Sequence, residues 1–227
     1  MPELPRLPNN SQRLAVIGRT GSGKTQFAVW TLSRRNFLKM PWVIFNFKGD
    51  ELIDSIPYAD HVEVGHMPQR VGIYVVHPLP GERDRMTAYL WNLWQRQNVG
   101  LLVDEGYMLG DDDAFLAILT QGRSRRIPCI VLTQRPAWIS RFVFTESQFY
   151  AVFSLTDKRD VKTVAQFIPG EEIETAVLPE FHSWYYDVGR NRLWQLRPVP
   201  SEEEILGSIR QQFEAHFESE KVRVKKV

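Results

Sequence analysis

Residues 18–25, Gly18-Arg19-Thr20-Gly21-Ser22-Gly23-Lys24-Thr25, match the pattern G-x-x-x-x-G-K-[ST] at every fixed position. These residue types at this spacing bind phosphate. Gly21 and Gly23 let the backbone turn so that successive N–H groups face one concavity. Lys24 is placed to reach the β/γ-phosphates of a nucleotide, and the Thr25 hydroxyl to hold Mg2+. Further along, Asp104-Glu105 ends the apolar run Leu101-Leu102-Val103. An acid at that place binds Mg2+ in phosphate-loop enzymes, which suits Asp104. The second acid, Glu105, suits the acceptance of a proton from an attacking water. Paired acids point to hydrolysis rather than to transfer onto an acceptor. Gln134 follows the next apolar run, where a neutral amide can hydrogen-bond a γ-phosphate or the attacking water; a surface glutamine is the plainer alternative.

The surrounding pattern is that of elements able to position these groups. Leu14-Ala15-Val16-Ile17 reads as a buried strand, and Thr25 to Leu32 as a helix whose N-terminus adds partial positive charge at the loop. Further strands are expected over Pro41–Phe47, Val71–Val76, Val99–Val103, Ile127–Leu132 and Phe149–Phe153. Helices are expected over Glu82–Asn98, about Asp112–Gln121, and Asp157–Phe167. Trp184–Val188 and Arg192–Leu196, separated by Gly189-Arg190-Asn191, read as a β-hairpin. Strands alternating with helices predict an α/β fold with a mainly parallel central sheet flanked by helices. Residues 1–200 are expected to form the main domain, with 1–11 as a Pro-rich extended arm. Residues 201–227 read as a helix through His216 followed by a basic tail, Lys221 to Val227. That tail fits either a solvated terminus or a contact to DNA, an anionic lipid surface or a partner.

Composition narrows the possibilities. The 227 residues include 24% charged and 43% hydrophobic side chains, ordinary for a globular protein, and carry a net charge of +1. No global basic field advertises nucleic acid, although a local basic ring built by oligomerisation stays open. The single cysteine, Cys129, sits in an apolar run and cannot make an internal disulfide. No stretch approaches the length of a membrane span, and the N-terminus lacks a signal-peptide core, so a soluble intracellular protein is expected. Arg123, Arg125 and Arg126 cluster before the fifth strand, away from the chain's own nucleotide. They suit an arginine finger offered to a neighbouring subunit, a DNA contact, or solvated surface. Arg135 is a further candidate. Trp138, Arg141 and Phe142 fit a pore lining or packing between subunits.

Together these segments resemble the genome-packaging ATPases of tailless, membrane-containing double-stranded DNA viruses, the tectivirus type. That group lies within the superfamily of ring-shaped DNA translocases that includes bacterial chromosome pumps. The resemblance rests on Gly18–Thr25, Asn46–Glu51, Leu101–Glu105, and Gly122-Arg123 through Thr133-Gln134-Arg135-Pro136, the last being the most discriminating. It implies a P-loop NTPase fold of the RecA-like translocase variety, with ATP at residues 18–25 and Mg2+ through Thr25 and Asp104. It also implies Glu105 as base, Gln134 as sensor, and an arginine of residues 122–126, Arg123 or Arg126, acting in trans within a hexameric ring. Double-stranded DNA, a preformed procapsid and capsid-vertex proteins, including small membrane proteins, are the implied partners; host cytoplasm and the packaging vertex of the virion are the implied locations. The chain departs from the pattern at Asn46, where many relatives carry Asp.

Three other readings compete. A filamentous-phage assembly ATPase has a similar core but normally carries a membrane span. A small-molecule kinase shares the loop but needs a lid and an acceptor pocket. A virion structural protein could use nucleotide as a switch without turning it over.

Overall fold

The computed structural model describes residues 4–224; Pro2 of the expected arm and Lys225-Lys226-Val227 of the basic tail lie outside the described residues. Strand β1 (Leu14–Ile17) is buried along its whole length. Leu14 and Val16 pack into one hydrophobic layer and Ala15 and Ile17 into the other, which is why the run carries no polar residue. The chain continues through α1 (Lys24–Ser33), β2 (Trp42–Asn46), α2 (Glu51–Asp54), β3 (Asp60–Val62) and β4 (Ile73–Val76). Next come α3 (Arg83–Arg96), β5 (Gly100–Asp104), α4 (Asp113–Gln121), β6 (Cys129–Thr133), α5 (Arg141–Thr145) and β7 (Phe149–Val152). The last part holds α6 (Lys158–Ala165), α7 (Glu172–Thr175), β8 (Ser183–Asp187), β9 (Arg192–Leu196) and α8 (Glu202–Val224).

The strands form one nine-stranded sheet in the order β3-β4-β2-β5-β6-β1-β7-β8-β9. The first seven in that order are parallel, and the β8–β9 hairpin continues the sheet antiparallel from β7. This is the expected α/β fold with a mainly parallel sheet. Helices α1, α2 and α8 supply the layer on one face, through Phe27, Leu32, Leu52, Ile53, Ile209 and Phe213. On the other face α3 and α4 supply Met86, Leu90, Leu93, Phe115 and Ile118, joined by Phe144 of α5 and Val164 of α6. Among the described residues no helix is long and apolar enough to cross a membrane.

Several elements differ from the pattern read in the sequence, among them the short helices α2, α5 and α7, of four or five residues each and so too short to show a helical stripe. Strand β3 was not expected; it has three residues, only part-buried, too short for an alternation to register. Helix α8 runs past His216 to Val224 because its apolar face does not end there: Phe217 meets the ring of Tyr58, with centroids 5.4 Å apart.

The register lines up the strand ends that matter. Ile17 pairs with Thr133 on one side and Val152 on the other, and Asn46 pairs with Asp104. Gly18, Asp104, Glu105 and Gln134 therefore leave the sheet at the same edge, the C-terminal ends of parallel strands, where open α/β sheets bind ligands.

Candidate nucleotide site

The glycine loop is pinned to the sheet on both flanks. The Gly18 N–H donates to the Thr133 carbonyl at 3.2 Å, and the Arg19 N–H to the Ser154 carbonyl at 3.0 Å. A Cβ on Gly18 would sit 2.6 Å from the Phe153 Cβ, so only glycine fits that crossing. Gly23 has φ +95° and starts α1 without any side-chain cap, and no acid occupies the first turn. Helices α2, α4 and α6 are each capped by an aspartate: Asp50, Asp112 and Asp157. The α1 terminus is thus the one of these four whose first N–H groups are left to an outside anion.

Lys24 is buried, and its Nζ donates to the Arg19 carbonyl at 2.9 Å, bridging the loop from within. Burial lowers its pKa, partly offset by the charge of Glu105. Ser22 Oγ donates to the same carbonyl at 2.8 Å. Thr25 is half-buried in the first turn of α1, and Arg19 and Thr20 are exposed on the outer rim of the loop.

Asp104 and Glu105 end β5 at 3% and 1% exposure, unusual for two adjacent carboxylates. Burial, reinforced by Glu105, raises the Asp104 pKa to about 6. Its Oδ2 is buried without a hydrogen-bond partner. An orphaned carboxylate oxygen next to a hydroxyl-bearing loop is a hard oxygen donor set of the kind Mg2+ takes. Glu105 holds a left-handed backbone, φ 58°, at the start of the 3-10 turn Gly106–Met108. A non-glycine residue held there stores of order 1–3 kcal/mol of strain. Its Oε1 forms an ion pair with Lys48, and its Oε2 accepts weakly from the Gln134 N–H at 3.4 Å.

Lys48 is the site residue that sequence reasoning missed. It follows β2 by two residues, and the pairing of Asn46 with Asp104 is what brings its ammonium to Glu105. No local motif carries that relation. Gln134 does face the crevice: its Oε1 accepts from the Thr20 hydroxyl, linking loop and β6. Arg135 beside it lies 3.8 Å from Asp160 and over the Trp138 ring, and Trp138 is 65% exposed. Arg141 lies over Phe167, and Phe142 is exposed next to it.

The structure does not bring Arg123 or Arg126 to the loop of the same chain. Both are exposed in the turn before β6, at the N-terminal ends of the parallel strands. The five residues of β6 separate them from Gln134 by on the order of 15 Å. Arg125 is committed elsewhere, its guanidinium 3.3 Å from the centroid of the Trp94 ring.

A phosphate loop between β1 and α1, facing paired buried acids at the end of β5 and an amide just past β6, defines a P-loop ATPase. The chain is 45% identical over 211 residues to DNA packaging ATPase P9 of Enterobacteria phage PRD1, covering 88% of this chain and 93% of that protein. It belongs to that family, the DNA-packaging ATPases of the tectivirus type. No protein-family model matches it.

Solved structures agree in fold. The genome packaging NTPase B204 of Sulfolobus turreted icosahedral virus 2, in complex with AMPPCP, superposes with a TM-score of 0.68 at 17% identity over 85% of this chain and all of that one. EssC (ATPases 2 and 3) of Geobacillus thermodenitrificans gives 0.65 at 11% identity over 92% of this chain and 45% of that one.

Proposed function

We propose that this protein hydrolyses ATP to drive double-stranded DNA into a preformed capsid, working as a ring of identical subunits at the packaging vertex. The observation that carries the hydrolytic step is the buried pair Asp104–Glu105, with one Asp104 oxygen unpartnered and Glu105 held by Lys48. In this reading the N–H groups of residues 18–25 cradle the phosphates. Lys24 leaves the Arg19 carbonyl for the β/γ-phosphates. Thr25 and Asp104 would hold Mg2+, which neutralises charge on the β- and γ-phosphates when bound. Glu105 takes a proton from the attacking water as the water oxygen bonds to the γ-phosphorus and the bond to the β-phosphate oxygen breaks. Gln134, already joined to the loop through Thr20, senses the γ-phosphate. Arg123 or Arg126 of a neighbouring subunit supplies the cation that stabilises the transition state.

Family membership supports the DNA and capsid partners, and the distance between the arginines and the loop of the same chain supports the ring. The kinase reading loses ground to the paired acids. The test is turnover per chain measured against protein concentration, with and without double-stranded DNA. Turnover should rise with assembly and with DNA. Equal turnover by dilute monomer and assembled protein would sink the shared site. Capsids made with Lys24→Ala protein should assemble but stay empty; failure of capsids to form would favour the structural reading.

A further inference from the structure

Asp54, His61 and His77 converge near the β3 edge of the sheet, outside the nucleotide machinery. His61 lies in β3 opposite Val75 of β4, and His77 follows two residues after Val75. The two imidazoles are therefore diagonal neighbours on one face. Their rings stack with centroids 5.9 Å apart and planes 11° apart. Asp54 closes α2 over the same face, and its Oδ1 lies 3.1 Å from His77 Nε2. One ligand atom from each of the three residues lies within 4.8 Å of the other two.

The carboxylate is oriented from behind. Asp54 Oδ1 accepts from Asn46 Nδ2 at 2.9 Å, and Asn46 Oδ1 accepts from the Asp50 N–H at 2.8 Å, which fixes the amide of this buried residue. An aspartate at position 46 would turn a second negative charge toward Asp54 instead of a donor.

We propose that Asp54, His61 and His77 bind a late first-row divalent cation, with Zn2+ as the reference ion. Two imidazoles and one carboxylate form a nitrogen-rich set that suits Zn2+ and its neighbours, whereas Mg2+ prefers oxygen donors. Three protein ligands leave the fourth tetrahedral position to water. The Asn46 amide is the outer partner that a ligating carboxylate typically has. Ligand atoms around a tetrahedral ion stand roughly 3.3 Å apart, given bonds near 2 Å. The His77–Asp54 pair already meets that spacing, and exposed His61 has room to rotate toward it. The ion would tie α2, β3 and β4 together and so clamp an edge strand of only three residues.

The test uses full-length protein stripped with chelator and titrated with Zn2+ by calorimetry in the absence of nucleotide, with thermal unfolding measured in parallel. Wild type should take up one equivalent and melt higher. His61→Ala and His77→Ala should each weaken uptake by at least roughly tenfold. Mg2+ should neither raise the melting temperature through this site nor compete for it. Both histidines are exposed, so metal-free variants should melt as wild type does, and that measurement separates lost ligation from lost folding. Equal Zn2+ uptake by wild type and the His61→Ala/His77→Ala double variant would overturn the site, as would absence of uptake by wild type.

Discussion

Asp104 carries a conflict that a ligand can resolve. Its pKa stands at about 6, against an ordinary 3.8, because burial and then Glu105 disfavour its charge. The native state thus holds the Asp104 proton more tightly than the unfolded chain does. Stability from this group is present at low pH and is lost as pH rises from about 4 through about 6. Asp104→Asn removes the cost, so in chelator the variant should be more stable than wild type at pH 7.5 by about 2–3 kcal/mol. Denaturant unfolding checks this, and the advantage should vanish near pH 4. Lys48 makes a second prediction. Lys48→Ala releases the Glu105 carboxylate from its fixed partner, and kcat should fall by at least about tenfold while nucleotide affinity is kept. Lys48→Arg should recover part of the loss, and an unchanged kcat would remove Lys48 from the site. The glycine loop and the acid pair are legible in the sequence because each is a contiguous string of residues. Lys48 is not, since its role exists only once β2 lies beside β5. The unpartnered oxygen of Asp104 is likewise a property of packing.

At the scale of elements, the order of strands and helices was readable wherever an apolar run or a helical stripe was long. Strand order was not, because parallel pairing such as β2 between β4 and β5 is decided by packing among distant segments. The part played by α8 was hidden for a related reason. Its acidic start and basic end dominate the string, while Ile205, Ile209 and Phe213 quietly face the sheet. Phe213 is 4% exposed and meets the Phe37 ring at a centroid distance of 5.1 Å. Phe213→Ala should therefore cost about 3–5 kcal/mol, read as a lower denaturation midpoint at unchanged slope. A cost below about 1 kcal/mol would mean that α8 is only loosely attached.

At the scale of the whole molecule, the proposed ring makes a prediction that a self-sufficient subunit does not. Under that proposal, Glu105→Gln protein would lack the base but keep its arginines, and Arg123→Ala/Arg126→Ala protein would lack the finger but keep its base. Each alone should be nearly inactive. Mixed in equal amounts before assembly, they rebuild intact interfaces, and roughly a quarter of wild-type turnover should return if mixing is random. Recovery of nothing would place base and arginine in one chain.

Strand β6 has a consequence for timing. It is hydrogen-bonded on both sides, to β5 and β1, with the exposed arginine turn at its start and Gln134 at its finish. A strand so braced moves as one piece or not at all. In the proposed ring, the end proposed to touch the next subunit's nucleotide and the end proposed to read its own would be the two ends of one short rod. Each subunit would then relay its neighbour's state along the strand, and the order of firing around the ring would be written into five residues of the sheet.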